Sequence, residues 1–252
     1  MTRTAAALAV LAALLTGCSG GADDTELTVL AAASLTDVLE DVAADFEEAH
    51  PGVDVRVVAG SSTTLAEQAA DGAPGDVLAT ADEESMTLAA EAQAADPVPF
   101  ATNELVLAVP HGNPGGVTGV ADIAGARWVR CADDVPCGRV GLALLGANAV
   151  TAEPASLEVD VRAVLAKVVS GEADAGLVYR SDAVAAGDAV EVRAIPEAAA
   201  HRTRYVAAPL TQSADAGLAA ELVEHLGSAE GERALRDAGF GRPAGYRAPV
   251  TP

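Results

Sequence analysis

From Leu27 onward, short apolar runs alternate with amphipathic stretches, and each rhythm predicts one kind of element. Leu27–Ala33 is a continuous apolar run of strand length. Ser34 opens a helix: Ser34 and Asp37 form a capping-box-like pair, and Leu35, Val38, Leu39, Val42 and Phe46 recur at spacings of three and four. Pro51-Gly52 ends it. Val53–Val58 alternates as a second strand, and Gly60–Thr64 leads into a helix through about Ala70. Asp71–Gly75 is a turn before a third strand, Asp76–Thr80, and a third helix, Asp82–Ala94. Strand-helix alternation with short connections predicts parallel sheets with helices on their faces.

Glu104–Val109 reads as another strand, and His111–Gly116 is the strongest punctuation, placing a lobe boundary there. The alternation then resumes. Strands are expected at Arg127–Arg130, Ala175–Tyr179, Val190–Ile195 and Arg204–Ala208, and helices at Gly138–Ala147, Val159–Val169, Asp215–Leu226 and Ala229–Ala238. Two α/β lobes account for this order with the fewest assumptions.

The N-terminus changes the picture. A short cationic start, an apolar run over Ala5–Leu15 and then Leu15-Thr-Gly-Cys18 resemble a bacterial lipoprotein signal. The run is too short to span a bilayer, which needs ~20 residues. Residues 1–17 are therefore expected to be removed, Cys18 to carry a lipid at the cell membrane, and residues 18–26 to form a tether. Cys131 and Cys137 then remain as a candidate disulfide in an oxidising compartment. Half of the residues are hydrophobic but only 3% are aromatic, so Ala, Val and Leu build the core. The formal charge of −22 opposes binding to nucleic acid, which relies on Lys and Arg neutralising phosphates, and opposes electrostatic attachment to anionic lipid. The four histidines are scattered without metal-ligand spacing. No G-x-S-x-G elbow, Walker loop or zinc motif supports an enzyme, and no cofactor is expected.

In parallel α/β sheets, ligands gather where strands end and helices begin. Unpaired N–H groups and a partial positive charge at a helix start favour an anion. Ser34 and the run Ser61-Ser62-Thr63-Thr64 place hydroxyls at two such junctions. Taken alone, these are equally well ordinary N-caps. Asp37, Asp76, Asp82 and Asp160 read as caps and turns.

Several segments, in order, resemble the molybdate-binding proteins of ABC importers. They are Ala31–Asp37 (AAASLTD), Gly60–Gln68 (GSSTTLAEQ), Gly72–Val77 (GAPGDV), Asp134–Gly138 (DVPCG), Glu158–Arg162 (EVDVR) and Gly176–Ala183 (GLVYRSDA). The resemblance runs from Leu27 to about Phe240. It implies the two-lobed periplasmic-binding-protein fold (type II), each lobe a mostly parallel sheet flanked by helices, with the ligand cleft between lobes. The lobes are then 27–108 plus 205–243 and 109–204, with a loose tail over 244–252.

The resemblance also implies oxyanion binding by the hydroxyls of Ser34, Ser62 and Tyr179 and by the backbone N–H groups of Cys137 and Val161. Thr63 stands where a third serine is common, so Ser61, Ser62 and Thr63 all remain candidates for the second contact. Molybdenum enters only as the bound oxyanion, with no protein–metal ligand. The expected partners are molybdate or tungstate and a permease with a cytoplasmic ATPase, and the chain is expected to be a monomer. The alternatives are a binding protein for another tetrahedral oxyanion such as sulfate, or a non-transport interaction lipoprotein.

Overall fold

The computed structural model describes residues 25–244; the export signal, Cys18, most of the tether and most of the tail read from the sequence lie outside them. The first sheet takes β1 (Thr25–Ala32), β2 (Val53–Gly60), β3 (Val77–Thr80), β4 (Val98–Asn103) and β10 (Thr203–Pro209) in the order β2-β1-β3-β10-β4. The second takes β5 (Leu105–Pro110), β6 (Trp128–Cys131), β7 (Ser156–Glu158), β8 (Ala175–Tyr179) and β9 (Val190–Arg193) in the order β7-β6-β8-β5-β9. In each sheet four strands share a direction and one runs against them. That strand is β10 in the first sheet and β5 in the second.

Alternation along the strands decides what each face buries. Leu27, Val29 and Ala31 of β1 face α1 (Thr36–Ala49), α7 (Ala216–Leu226) and α8 (Ala229–Asp237), whereas Leu30 faces α2 (Ser62–Ala70) and α3 (Glu83–Leu88). The period of two sends neighbours to opposite layers, so both faces of the sheet are dry. The second sheet packs around Trp128, Leu105 and Leu177, covered by α4 (Pro136–Ala147), α5 (Val161–Val169) and α6 (Arg180–Ala186). The two-lobed fold expected from the sequence is the one observed.

Several local expectations need correction. The Ser34/Asp37 capping box does not form: Ala33–Leu35 is a 3₁₀ turn with no side-chain cap, and the Ser34 hydroxyl bonds Tyr205 instead. The helix expected over Asp82–Ala94 stops at Leu88. There the Gln93 side chain donates to the Met86 carbonyl (2.8 Å), and Ala89 and Ala92 continue with tighter i to i−3 bonds. The strand β4 was not expected because Pro99 interrupts it. Proline is tolerated there because β4 is an edge strand. Nor were β7 and α6 expected, being three and seven residues long and too short to show a period.

The first lobe crossing falls at Glu104, upstream of the 108/109 boundary. Leu105–Pro110 pairs with β8 and β9, so it belongs to the second sheet. The return crossing lies between Arg193 and Thr203. His111–Gly116 is a surface turn within the second sheet's half of the chain.

Candidate functional site

Five chain segments that end one strand and begin one helix meet at a single cavity between the sheets. In the first sheet, parallel neighbours β1 and β2 deliver Ala32–Ser34 and Gly60–Ser62. In the second, β6, β7 and β8 run parallel and side by side and deliver Val135–Cys137, Asp160–Val161 and Tyr179. All five residues expected from the sequence to bind an oxyanion, namely Ser34, Ser62, Cys137, Val161 and Tyr179, line this one cavity. About 20 Å³ of it is open to the centre of a water-sized sphere, above the ~10–15 Å³ needed for one water.

The lining is rich in donors. Ser62 Oγ accepts from the Ala81 N–H at 3.0 Å, so its own proton is free for the cavity. Ser34 Oγ shares a 2.7 Å hydrogen bond with the Tyr205 hydroxyl. The buried oxygens of Ser61 and Tyr179 have no hydrogen-bond partner among the described residues. The Thr203 hydroxyl, close to Tyr179, donates instead to the Ala81 carbonyl. Burial foremost, then the neighbouring Tyr205, Asp82 and Asp182, pushes the Tyr179 phenol well above its ordinary pKa, so it stays a protonated donor. Cys137 and Val161 sit in the first turns of α4 and α5, where N–H groups lack intrahelical acceptors.

Among the described residues no Lys or Arg lines the cavity, and the one carboxylate there serves as a helix cap. Asp160 caps α5 by accepting from Ala163 N (2.9 Å). Of the three hydroxyls in doubt, Ser61 and Ser62 reach the cavity, whereas Thr63 crosses to the other lobe and donates to the Asp134 carbonyl (2.9 Å). The candidate disulfide is present: Cys131 and Cys137 are joined, tying the end of β6 to the start of α4.

Ion pairs cross the cleft on either side of the cavity. Arg139 of α4 reaches Asp82, the cap of α3, at 2.7 Å. Arg162 of α5 pairs with Asp37 of α1 and, through Nε at 3.0 Å, with Asp182 of its own lobe. Asp37 is thus a cross-lobe partner and not the cap or turn expected; only tertiary structure brings it to Arg162, 125 positions away. Asp76, Asp82 and Asp160 do hold turns and helix starts. Asp182 is fully buried, and burial pushes its carboxyl up to about 7 against the opposing pull of Arg162.

Comparison with known proteins bears on the family and the fold. The family model of the bacterial extracellular solute-binding proteins matches residues 27–241. The chain belongs to that family. The molybdate-binding protein ModA of Mycobacterium tuberculosis is 37% identical over 221 residues, covering 86% of this chain and 85% of the relative. ModA of Escherichia coli is 34% identical over 198 residues, covering 73% and 77%. The periplasmic molybdate-binding protein of Azotobacter vinelandii superposes with a TM-score of 0.75 at 23% identity, covering 86% of this chain and 99% of that one. At that identity the superposition speaks for the fold.

Tyr205 is the site residue that sequence reasoning missed. It lies in an apolar run of β10, and nothing local to Arg204–Ala208 marks its hydroxyl as polar support for Ser34.

Proposed function

We propose that this solute-binding protein captures molybdate, and tungstate with it, between its lobes and delivers the ion to an ABC permease with a cytoplasmic ATPase. The reading gives it no covalent chemistry and a monomeric form, tethered by a lipid on Cys18. The lobes divide at Glu104 and between Arg193 and Thr203. Ser34, Ser62 and Tyr179 would donate through hydroxyls, and Cys137 and Val161 through backbone N–H groups. Ser61, whose buried hydroxyl has no partner among the described residues, joins them.

One observation carries this reading: uncharged donors from five strand–helix junctions, drawn from both lobes, surround one small cavity whose only carboxylate among the described residues is engaged in capping. Molybdate and tungstate are fully deprotonated dianions at neutral pH, so every oxygen only accepts. Monohydrogen phosphate brings a proton that is best met by a carboxylate, and the one carboxylate in the lining already caps α5. Hydrogen bonds to a charged group contribute ~1.5–3 kcal/mol each, so several neutral donors hold a dianion without a cation. The surrounding negative charge is screened over ~10 Å at 0.1 M salt and slows capture more than it weakens the complex.

The test is thermal stability with each anion. Molybdate at a hundredfold excess over its dissociation constant should stabilise the fold by ~2.7 kcal/mol, with a matching rise in Tm. Phosphate should give no shift. A larger shift with sulfate than with molybdate would replace the ligand, and no shift with any of them would favour an interaction lipoprotein. Ser62→Ala should weaken molybdate binding ~10- to 150-fold by calorimetry. Unchanged affinity would remove Ser62 from the site.

A further inference from the structure

Resting on the oxyanion reading, we infer that Tyr205 is a positioning residue that directs the Ser34 proton into the cavity. Its hydroxyl lies 2.7 Å from Ser34 Oγ, and either oxygen could donate. Ser34 Oγ has no other hydrogen-bond partner among the described residues. Two arrangements therefore compete. If Ser34 donates to Tyr205, the cavity faces a serine lone pair, which repels an anion. If Tyr205 donates to Ser34, the serine proton is released toward the cavity, and each bond polarises the next.

An acceptor-only ligand selects the second arrangement, and a neighbouring amide favours it. The Asn103 side-chain amide, which donates one proton to Ser181 Oγ at 2.9 Å, has its second proton close to the Tyr205 hydroxyl. An amide donating to that oxygen leaves the phenol proton free for Ser34. The ring cannot swing away. It is fully buried, with Phe240 edge-on at 5.2 Å, Tyr179 at 6.0 Å and Phe100 at 6.2 Å.

Ser62 shows the same device with an unambiguous donor. Its oxygen accepts from the Ala81 N–H, a group that can only donate, so the serine proton is left available to the cavity. Tyr205 does for Ser34 what a backbone amide does for Ser62. Both supports depend on β10: Tyr205 belongs to it, and Ala81 is fixed by the Thr203 hydroxyl of the same strand.

The test is a double-mutant cycle by calorimetry with molybdate. Tyr205→Phe keeps the ring and removes one hydroxyl. It should weaken binding about 3- to 10-fold when Ser34 is present. In the Ser34→Ala background the same change should alter affinity by less than about twofold, because no proton remains to direct. Equal losses in both backgrounds would mean that Tyr205 acts only on the fold, and no loss with Ser34 present would remove its role; either overturns the inference. If the wild-type protein does not bind molybdate at all, the ligand assignment fails instead. Should Tyr205→Phe not fold, 3-fluorotyrosine at position 205 replaces it as a stronger donor of nearly the same shape. Affinity then rises with serine at 34 and stays unchanged with alanine there, and a shift of equal size in both backgrounds again overturns the inference.

Discussion

Gly138→Ala should abolish tight anion binding and lower stability by ~3 kcal/mol or more, at or above the upper end of ordinary overpacking. A Cβ at this position would lie 1.6 Å from the Ala132 carbonyl oxygen and 2.5 Å from its carbon. The obstacle is backbone, so no side-chain rotation relieves it. Ala132 cannot retreat easily. Its N–H donates to Glu158 (2.8 Å), and the Cys131–Cys137 disulfide closes the same loop. The first turn of α4 must move instead, and with it the Cys137 N–H proposed to face the ligand. Urea denaturation and calorimetry on the variant measure both effects. Wild-type stability with wild-type affinity would show that this turn neither packs tightly nor presents a donor.

Arg162→Ala should destabilise the fold by ~3 kcal/mol at pH 8, and by clearly less at pH 5. Removing one partner of a buried pair costs ~3–5 kcal/mol because the other charge is stranded. Here the lower end applies, since Arg162 is partly exposed and only Asp182 is fully buried. The pH dependence follows from the Asp182 carboxyl, raised to about 7 by burial. At pH 8 it is charged and needs the guanidinium. At pH 5 it is protonated, and losing Arg162 strands no charge. In the wild type the same raised carboxyl contributes stability that is full below its unfolded pKa and is lost as pH rises toward 7. Denaturation of both proteins at the two pH values checks this. A penalty independent of pH, or larger at pH 5, would contradict it. The lost pair with half-exposed Asp37 should also weaken lobe closure, by no more than ~1 kcal/mol.

The sequence made the fold legible because its strands and helices are written locally, and it pointed to the candidate site through two hydroxyl-bearing junctions together with the family resemblance. Ser34 and Ser62 sit where a strand gives way to a helix start, and such junctions announce themselves by period and by turn residues, whereas Cys137, Val161 and Tyr179 were expected only through the family resemblance. The disulfide was readable as an even cysteine pair six positions apart. What stayed hidden depends on distant parts of the chain. Tyr205 is separated from Ser34 by 171 positions, and Arg162 from Asp37 by 125, with no local pattern linking either pair.

Edge elements were hidden for a second reason. Pro99 in β4 and the three-residue β7 carry too little periodicity to be read, and their places are set by the strands they join. The lobe crossing at Glu104 was missed for the same cause. Glu104–Val109 reads as a strand, but only its pairing with β8 and β9 assigns it to the second sheet.

The most direct test of the central claim, that neutral donors from both lobes trap a bare metal oxyanion, is a crystal structure grown with excess molybdate. The account predicts one ion in the cavity, its oxygens ~2.7–3.1 Å from the hydroxyls of Ser34, Ser62 and Tyr179 and from the N–H groups of Cys137 and Val161. Density for the ion elsewhere, or a cavity holding only water while molybdate binds in solution, would contradict it.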